Sequence, residues 1–313
     1  MSDYILDVSE SAAVLNVDLA CLRLETAAGH CARIPPREIA AVVLCHPQIT
    51  ISRAALAALA NAGAGVVVCD EKRRPVGMFL PLGGYHAPAR RFAAQAAASL
   101  PLRKRLWRQI IAAKIRAQGT LLAELHGNDC GLLEMARGVR SGDTTNLEAQ
   151  AARIYWSALF EEPGFHRDFE SPGYNAALNY GYAVLRALVG RALCAAGLHP
   201  GLGIHHRHRE NPYCLADDVM EPFRPVVDRA VALFGRDHGE PTQLDPPTKR
   251  MLAAPMTGTC RYEVDGARRT LMDIVSRVSL SLAAVFEKRS RTLWLPPLGH
   301  PIESENCALP EEA

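Results

Sequence analysis

The dominant period of this chain's apolar residues changes at Leu82-Gly83-Gly84-Tyr85-His86 and Pro88. Paired glycines followed by a proline break regular structure. Before the break, the runs YILDVSE, AAVLNVDL and CLRLETA alternate apolar and polar residues, as half-buried strands do. Ala40 to Cys45 and Val66 to Asp70 are nearly continuous apolar runs, suited to strands buried on both faces. Pro75 to Pro81 is a last short strand, and Ile51 to Ala62 alone has helical spacing, ending at Gly63. After the break, from about Ala89, helix formers dominate. Helices are predicted from Arg90 to Leu100, onward from Pro101, within Gly138 to Phe160, from Tyr174 to Ala196, from Val226 to Phe234 and from Arg268 to Lys288. Cys260 to Gly266 reads as a turn or short hairpin, and Gly235 to Lys249 as a mostly polar loop. The pattern predicts an α+β chain with a small β-rich domain over 1–85. A larger all-α domain over 89–300 and an acidic, fraying tail over 301–313 follow it.

Composition adds bounds. The 313 residues, 49% of them hydrophobic, suffice for two domains with a sizeable core. A net charge of +2 neither argues for nucleic acid nor excludes it, so the local distribution of charge decides. Nine cysteines occur at irregular spacing with no C-x-x-C pair, which indicates neither a disulfide framework nor a zinc ribbon. MSDYILDVSE lacks the basic and apolar regions of a signal peptide, and no apolar run approaches a membrane span. A cytoplasmic protein is expected.

The chemistry concentrates in GIHHRHRENPYCLADDVMEPFRP, Gly203 to Pro225. Asp218 and Glu221 are three apart, so a helix opened by Asp217 or Asp218 would set both carboxylates on one face, with Pro222 in its first turn. Imidazoles lie at the other end of the stretch. Oxygen and imidazole donors together suit a divalent ion that performs hydrolytic or phosphoryl chemistry. A rival set is zinc on His205, His206 and His208, because H-x-H spacing serves zinc hydrolases.

Two further stretches bear on function. Ten Lys or Arg stand against three Asp or Glu between His86 and Arg140. Arg103, Arg105, Arg108 and Lys114 on this helix are candidates for phosphate-backbone contact, against a reading as an ordinary solvated face. Thr145 and Glu148 match the capping box T-x-x-E, which would explain Glu148 without any chemistry. The asparagines and tyrosines of Tyr174 to Tyr182 read as satisfied core residues.

Gly203-Ile204-His205-His206, the run Asp218-Val219-Met220-Glu221-Pro222-Phe223-Arg224-Pro225 and the Ala-Arg-Ile-Tyr that follows Glu148 resemble motifs of the CRISPR-associated spacer-acquisition integrase family, CRISPR-associated protein one. The resemblance covers nearly the whole chain, including IPPREIAAVVL, a W-x-Q…K-x-x-x-Q pattern on Trp107, Gln109, Lys114 and Gln118, and Asn175 to Pro200. It implies a β-rich N-terminal domain used for dimerisation and a helical catalytic domain. It also implies Glu148, His206 and Glu221 as ligands of Mg²⁺ or Mn²⁺. Asp218 stays open between ligand, water anchor and N-cap, and Arg224 between phosphate contact and an ion pair. The implied reaction is attack by a DNA fragment's 3′-hydroxyl on a phosphodiester at a repeat boundary, or hydrolysis when water attacks. The implied partners are protospacer and repeat DNA, a second copy of the chain, and the small CRISPR-associated protein two bridging two dimers; GIHH and MEPFRP resemble type II systems. The alternatives are a catalytically silent DNA-binding scaffold of the same fold and the zinc hydrolase above.

Overall fold

The computed structural model describes residues 4–8, 11–27, 29–71, 75–81, 88–160 and 165–303. The expected linker over 82–86 lies outside the described residues. β1 (Tyr4–Val8), β5 (Ile39–Leu44) and β7 (Gly65–Cys69) pair in parallel, and β8 (Pro75–Phe79) joins β7 antiparallel. A second four-stranded sheet runs in the order β4 (Cys31–Ile34), β3 (Cys21–Thr26), β2 (Ala13–Asp18), β6 (Ile49–Ile51). Ile51 belongs to this sheet, so α1 (Arg53–Ala62) starts later than the apolar spacing suggests. Ser52 fixes the start by accepting the Ala55 N–H at 3.1 Å. Gly63, with φ of 79°, ends the helix in the left-handed region that glycine enters freely.

The apolar runs of β5 and β7 are explained by burial on both faces. Val42 and Val66 pack with Leu6, Leu15, Leu22, Ala55 and Leu59 between the two sheets. Their neighbours Ala41, Val43 and Val67 point the other way, into the core formed by the helices. Sheet and helices therefore share one continuous interface, and Tyr213 fastens it. Its hydroxyl accepts the Met78 N–H at 2.8 Å and lies 3.1 Å from the Met78 carbonyl.

The helical part comprises α2 (Pro88–Ala96), α3 (Leu100–His126), α4 (Leu132–Arg137), α5 (Leu147–Leu159), α6 (Tyr174–Ala195), α7 (Cys214–Met220), α8 (Arg224–His238), α9 (Pro246–Ala253) and α10 (Leu271–Phe286). A 3₁₀ turn, Glu221–Phe223, joins α7 to α8. α6 is buried on nearly every side between the first sheet, α8 and α10. Gly181 permits the close crossing, because a Cβ there would meet Val227 Cγ1 at 2.4 Å. Three expectations change. The polar loop contains α9, capped by Asp245 on the Thr248 N–H at 2.9 Å. The all-α domain carries a three-stranded sheet, β10 (Ala267–Arg269), β9 (Cys260–Val264), β11 (Ile302–Glu303), so α10 starts at Leu271 rather than Arg268. The tail expected from 301 thus begins as a strand on β9, and 304–313 lie outside the described residues. No helix among the described residues is long and apolar enough to cross a membrane.

Candidate active site

Glu148 lies in the first turn of α5, and the capping box that would have explained it without chemistry does not form. Asp143 does the capping: its Oδ1 and Oδ2 accept the Leu147 and Glu148 N–H groups at 2.9 and 3.0 Å. The Glu148 carboxylate is thereby left to point at α3, where its Oε1 meets Lys114 Nζ at 2.7 Å.

Glu221 comes from the 3₁₀ turn, which corrects the expected helix start. Asp217 and Asp218 sit inside α7 rather than at its cap, and Pro222 lies in the 3₁₀ turn. Glu221 Oε2 is 2.6 Å from Lys114 Nζ and its Oε1 is 2.9 Å from Arg224 Nε. One ammonium thus receives both carboxylates. Burial by itself would raise the Glu221 carboxyl, but the Arg224 and Lys114 cations outweigh it and hold the group down at about 2. Burial would likewise lower Lys114, and the charges of Glu221 and Glu148 raise it instead. Apart from the ion-pair contact, no group donates a hydrogen bond to the buried Oε2 of Glu221.

The G-x-x-H segment wraps around Asp218. Asp218 Oδ2 accepts the N–H groups of Ile204 at 2.5 Å and His205 at 3.0 Å, and Oδ1 accepts that of His206 at 3.1 Å. Gly203 is required here, since a Cβ would lie 2.2 Å from the His206 carbonyl oxygen. Oδ1 also takes the His206 ring Nδ1 at 2.7 Å. That bond directs the His206 Nε2 outward and, as the largest cause, raises the imidazole above its usual range, with the Glu221 charge contributing. Both Asp218 oxygens are engaged and the residue is fully buried, so it is the anchor of the histidine segment rather than a free ligand. The three histidines do not converge. His205 lies flat on Trp107, with centroids 4.1 Å apart and planes 4° apart. His208 lines a cavity of about 400 Å³ with Arg186, Asn211, Tyr213 and Met78. The zinc set of three imidazoles is not assembled.

The basic candidates divide. Arg105 and Arg108 are exposed on α3, while half-buried Arg103 donates to the Ala96 carbonyl at 3.1 Å. Lys114, a candidate for phosphate contact, is instead built into the carboxylate cluster, and Arg224 takes the ion-pair alternative with Glu221. Arg224 also lies over the Tyr182 ring at 4.5 Å. Beneath them is a pair of contacts that sequence reasoning missed. Tyr155 donates to Asp228 Oδ2 at 2.8 Å and Tyr182 donates to Oδ1. Burial raises the Asp228 carboxyl to about 6, against the opposing pull of the two hydroxyls and Arg224. The available signal was a carboxylate within the apolar face of α8, four residues after Arg224.

As arranged, no group of three His, Cys, Asp or Glu among the described residues could hold a metal ion, and at this site the Lys114 ammonium stands between the two glutamates. The donor set nevertheless fits a hard divalent cation: two carboxylates meeting at one positive charge, and an imidazole oriented by a carboxylate.

A family model described as CRISPR associated protein Cas1 matches residues 6–251. The CRISPR-associated endonuclease Cas1 of Neisseria meningitidis serogroup C (strain 8013) is 39% identical over 271 residues, covering 85% of this chain and 87% of that one. Among solved structures, a casposase bound to integration product superimposes with a TM-score of 0.78 at 19% identity, covering 94% of this chain and 92% of that one. A Cas6-RT-Cas1–Cas2 complex matches with a TM-score of 0.74 at 17% identity over 94% of this chain and 36% of that chain. These two likenesses establish the fold.

Proposed function

This chain belongs to the Cas1 family of CRISPR-associated proteins, and from that premise we propose that Glu148, His206 and Glu221 form the centre of its activity with Mg²⁺ or Mn²⁺. The protein is a DNA endonuclease and integrase that inserts short DNA fragments into a CRISPR array. The observation that supports the site is the convergence of Glu148 and Glu221 on Lys114 Nζ, with His206 close enough for its charge to help hold Glu221 ionised.

Each side chain has a task in this reading. Glu148, Glu221 and the His206 Nε2 would hold the cation, which when bound polarises phosphate oxygens and lowers the pKa of an attacking hydroxyl. Asp218 sets the His206 tautomer and direction through the 2.7 Å bond to Nδ1. Arg224 keeps Glu221 charged despite its burial. Asp143 holds the first turn of α5, and with it Glu148, in place. No side-chain nucleophile is needed, because the incoming 3′-hydroxyl or water attacks directly.

The partners follow from the relatives. DNA and a Cas2 protein are the partners of this reading, as in the casposase bound to integration product and the Cas6-RT-Cas1–Cas2 complex. A homodimer joined through the β-rich domain, bridged in pairs by the small partner, completes it.

The test is strand transfer of a short duplex into a repeat-bearing plasmid. Activity with Mg²⁺ or Mn²⁺, abolished by EDTA and by Glu148→Gln, is expected. Restoration by Zn²⁺ alone, or an active Glu148→Gln protein, would overturn the assignment.

A further inference from the structure

The two candidate ligand carboxylates are already neutralised by the protein's own cations. Glu148 and Glu221 share the Lys114 ammonium at 2.7 and 2.6 Å, and Glu221 also pairs with Arg224 at 2.9 Å. Two negative charges thus meet two permanent positive ones. The neighbouring Asp218 offers no free oxygen to an ion, since three backbone N–H groups and the His206 ring occupy both of its oxygens. Asp217 is bound by Arg186 at 2.6 Å and by Asn211. A divalent cation arriving alone would have to compete with an ammonium already seated between its ligands.

A DNA phosphate changes this balance. It brings negative charge to the mouth of the site, where Glu148 and His206 are the more exposed members. Lysine is a compact charge on a flexible four-carbon stem, well suited to moving from a carboxylate to a phosphate oxygen. Such a move frees both glutamates at the moment the phosphate arrives.

We propose that Lys114 is an internal counter-ion that couples cation loading to DNA binding, so that the divalent ion and the phosphodiester enter the site together. The proposal rests on the preceding assignment of Glu148, His206 and Glu221 as cation ligands. Coupling of this kind is reciprocal: the cation must tighten DNA binding by the same factor by which DNA tightens cation binding.

The experiment measures Mn²⁺ bound to the full chain by electron paramagnetic resonance, with and without a short duplex, and needs no turnover. Ions held by the DNA itself are measured with the same duplex in the absence of protein and subtracted. Wild-type protein is expected to bind Mn²⁺ at least about tenfold more tightly with DNA than without. Lys114→Met should bind Mn²⁺ about tenfold more tightly than wild type in the absence of DNA and gain little when DNA is added. Lys114→Arg, which keeps the charge, should retain the coupling. Equal wild-type affinity with and without DNA overturns the proposal, and this arm requires no variant to fold. DNA-free affinity in Lys114→Met that is unchanged or weaker also overturns it. Should Glu148→Gln and His206→Ala bind Mn²⁺ as wild type does, the ligand assignment itself fails, which is a separate outcome.

Discussion

Asp218 holds His206 twice, through the backbone N–H at 3.1 Å and the ring Nδ1 at 2.7 Å, and both bonds end on the same oxygen, Oδ1. The histidine's place and its tautomer are thus set by one buried carboxylate.

The three histidines of the segment should therefore separate on mutation. His206→Ala removes a proposed ligand and should slow strand transfer by about a thousandfold or more. His208→Ala, which faces another cavity, should change the rate little. His205→Ala loses the stack on Trp107 and should lower stability by about 1 kcal/mol, read by thermal melts. Equal collapse at His206 and His208 would sink the ligand set.

Asp143 and Glu148 lie at one helix start but have different tasks. Asp143→Ala leaves two α5 amides uncapped and should cost about 1 kcal/mol of stability. Glu148→Gln should abolish strand transfer while melting near the wild-type temperature. If Asp143→Ala melts as wild type and Glu148→Gln is destabilised instead, the cap has been misplaced.

Asp228 should leave a pH signature. Its carboxyl is raised from 3.8 to about 6 in the folded chain. The folded state therefore binds the proton more tightly than the unfolded state. The stability this contributes is complete below the unfolded value and is lost as pH rises through about 6, a span of roughly 3 kcal/mol. Asp228→Asn lacks this titration. Its stability relative to wild type, from urea unfolding, should rise between about pH 4 and about pH 7. A constant difference across that range would contradict the assignment.

Arg105 and Arg108 remain exposed on α3 and are the basic candidates free to meet phosphate. Each Arg→Ala change should weaken binding to all duplex sequences alike and reduce the salt slope by roughly one unit. An unchanged slope in both would return this face of α3 to solvent.

The sequence by itself determined the two-part architecture, because period-2 and period-3.6 patterns record which faces each segment buries. The resemblance of its local glycine, histidine and carboxylate motifs to one family also singled out Glu148, His206 and Glu221, and Gly203 is fixed by contacts within its own segment. What it left undecided was pairing across distance. Thr145 and Asp143 are equally able to cap a helix, and the folded loop, with Asp143 and Asn146 both left-handed at φ 48° and 54°, gives the position to Asp143. Lys114 and Arg224 look like surface cations in a linear string. Packing α3 against the turn at Glu221 buries them beside carboxylates, where unpaired charges could not remain. Asp218, Asp228 and the three histidines were likewise sorted by direction rather than by residue type. The tertiary structure decides that, since a side chain's role depends on which charges and amides its burial leaves within reach.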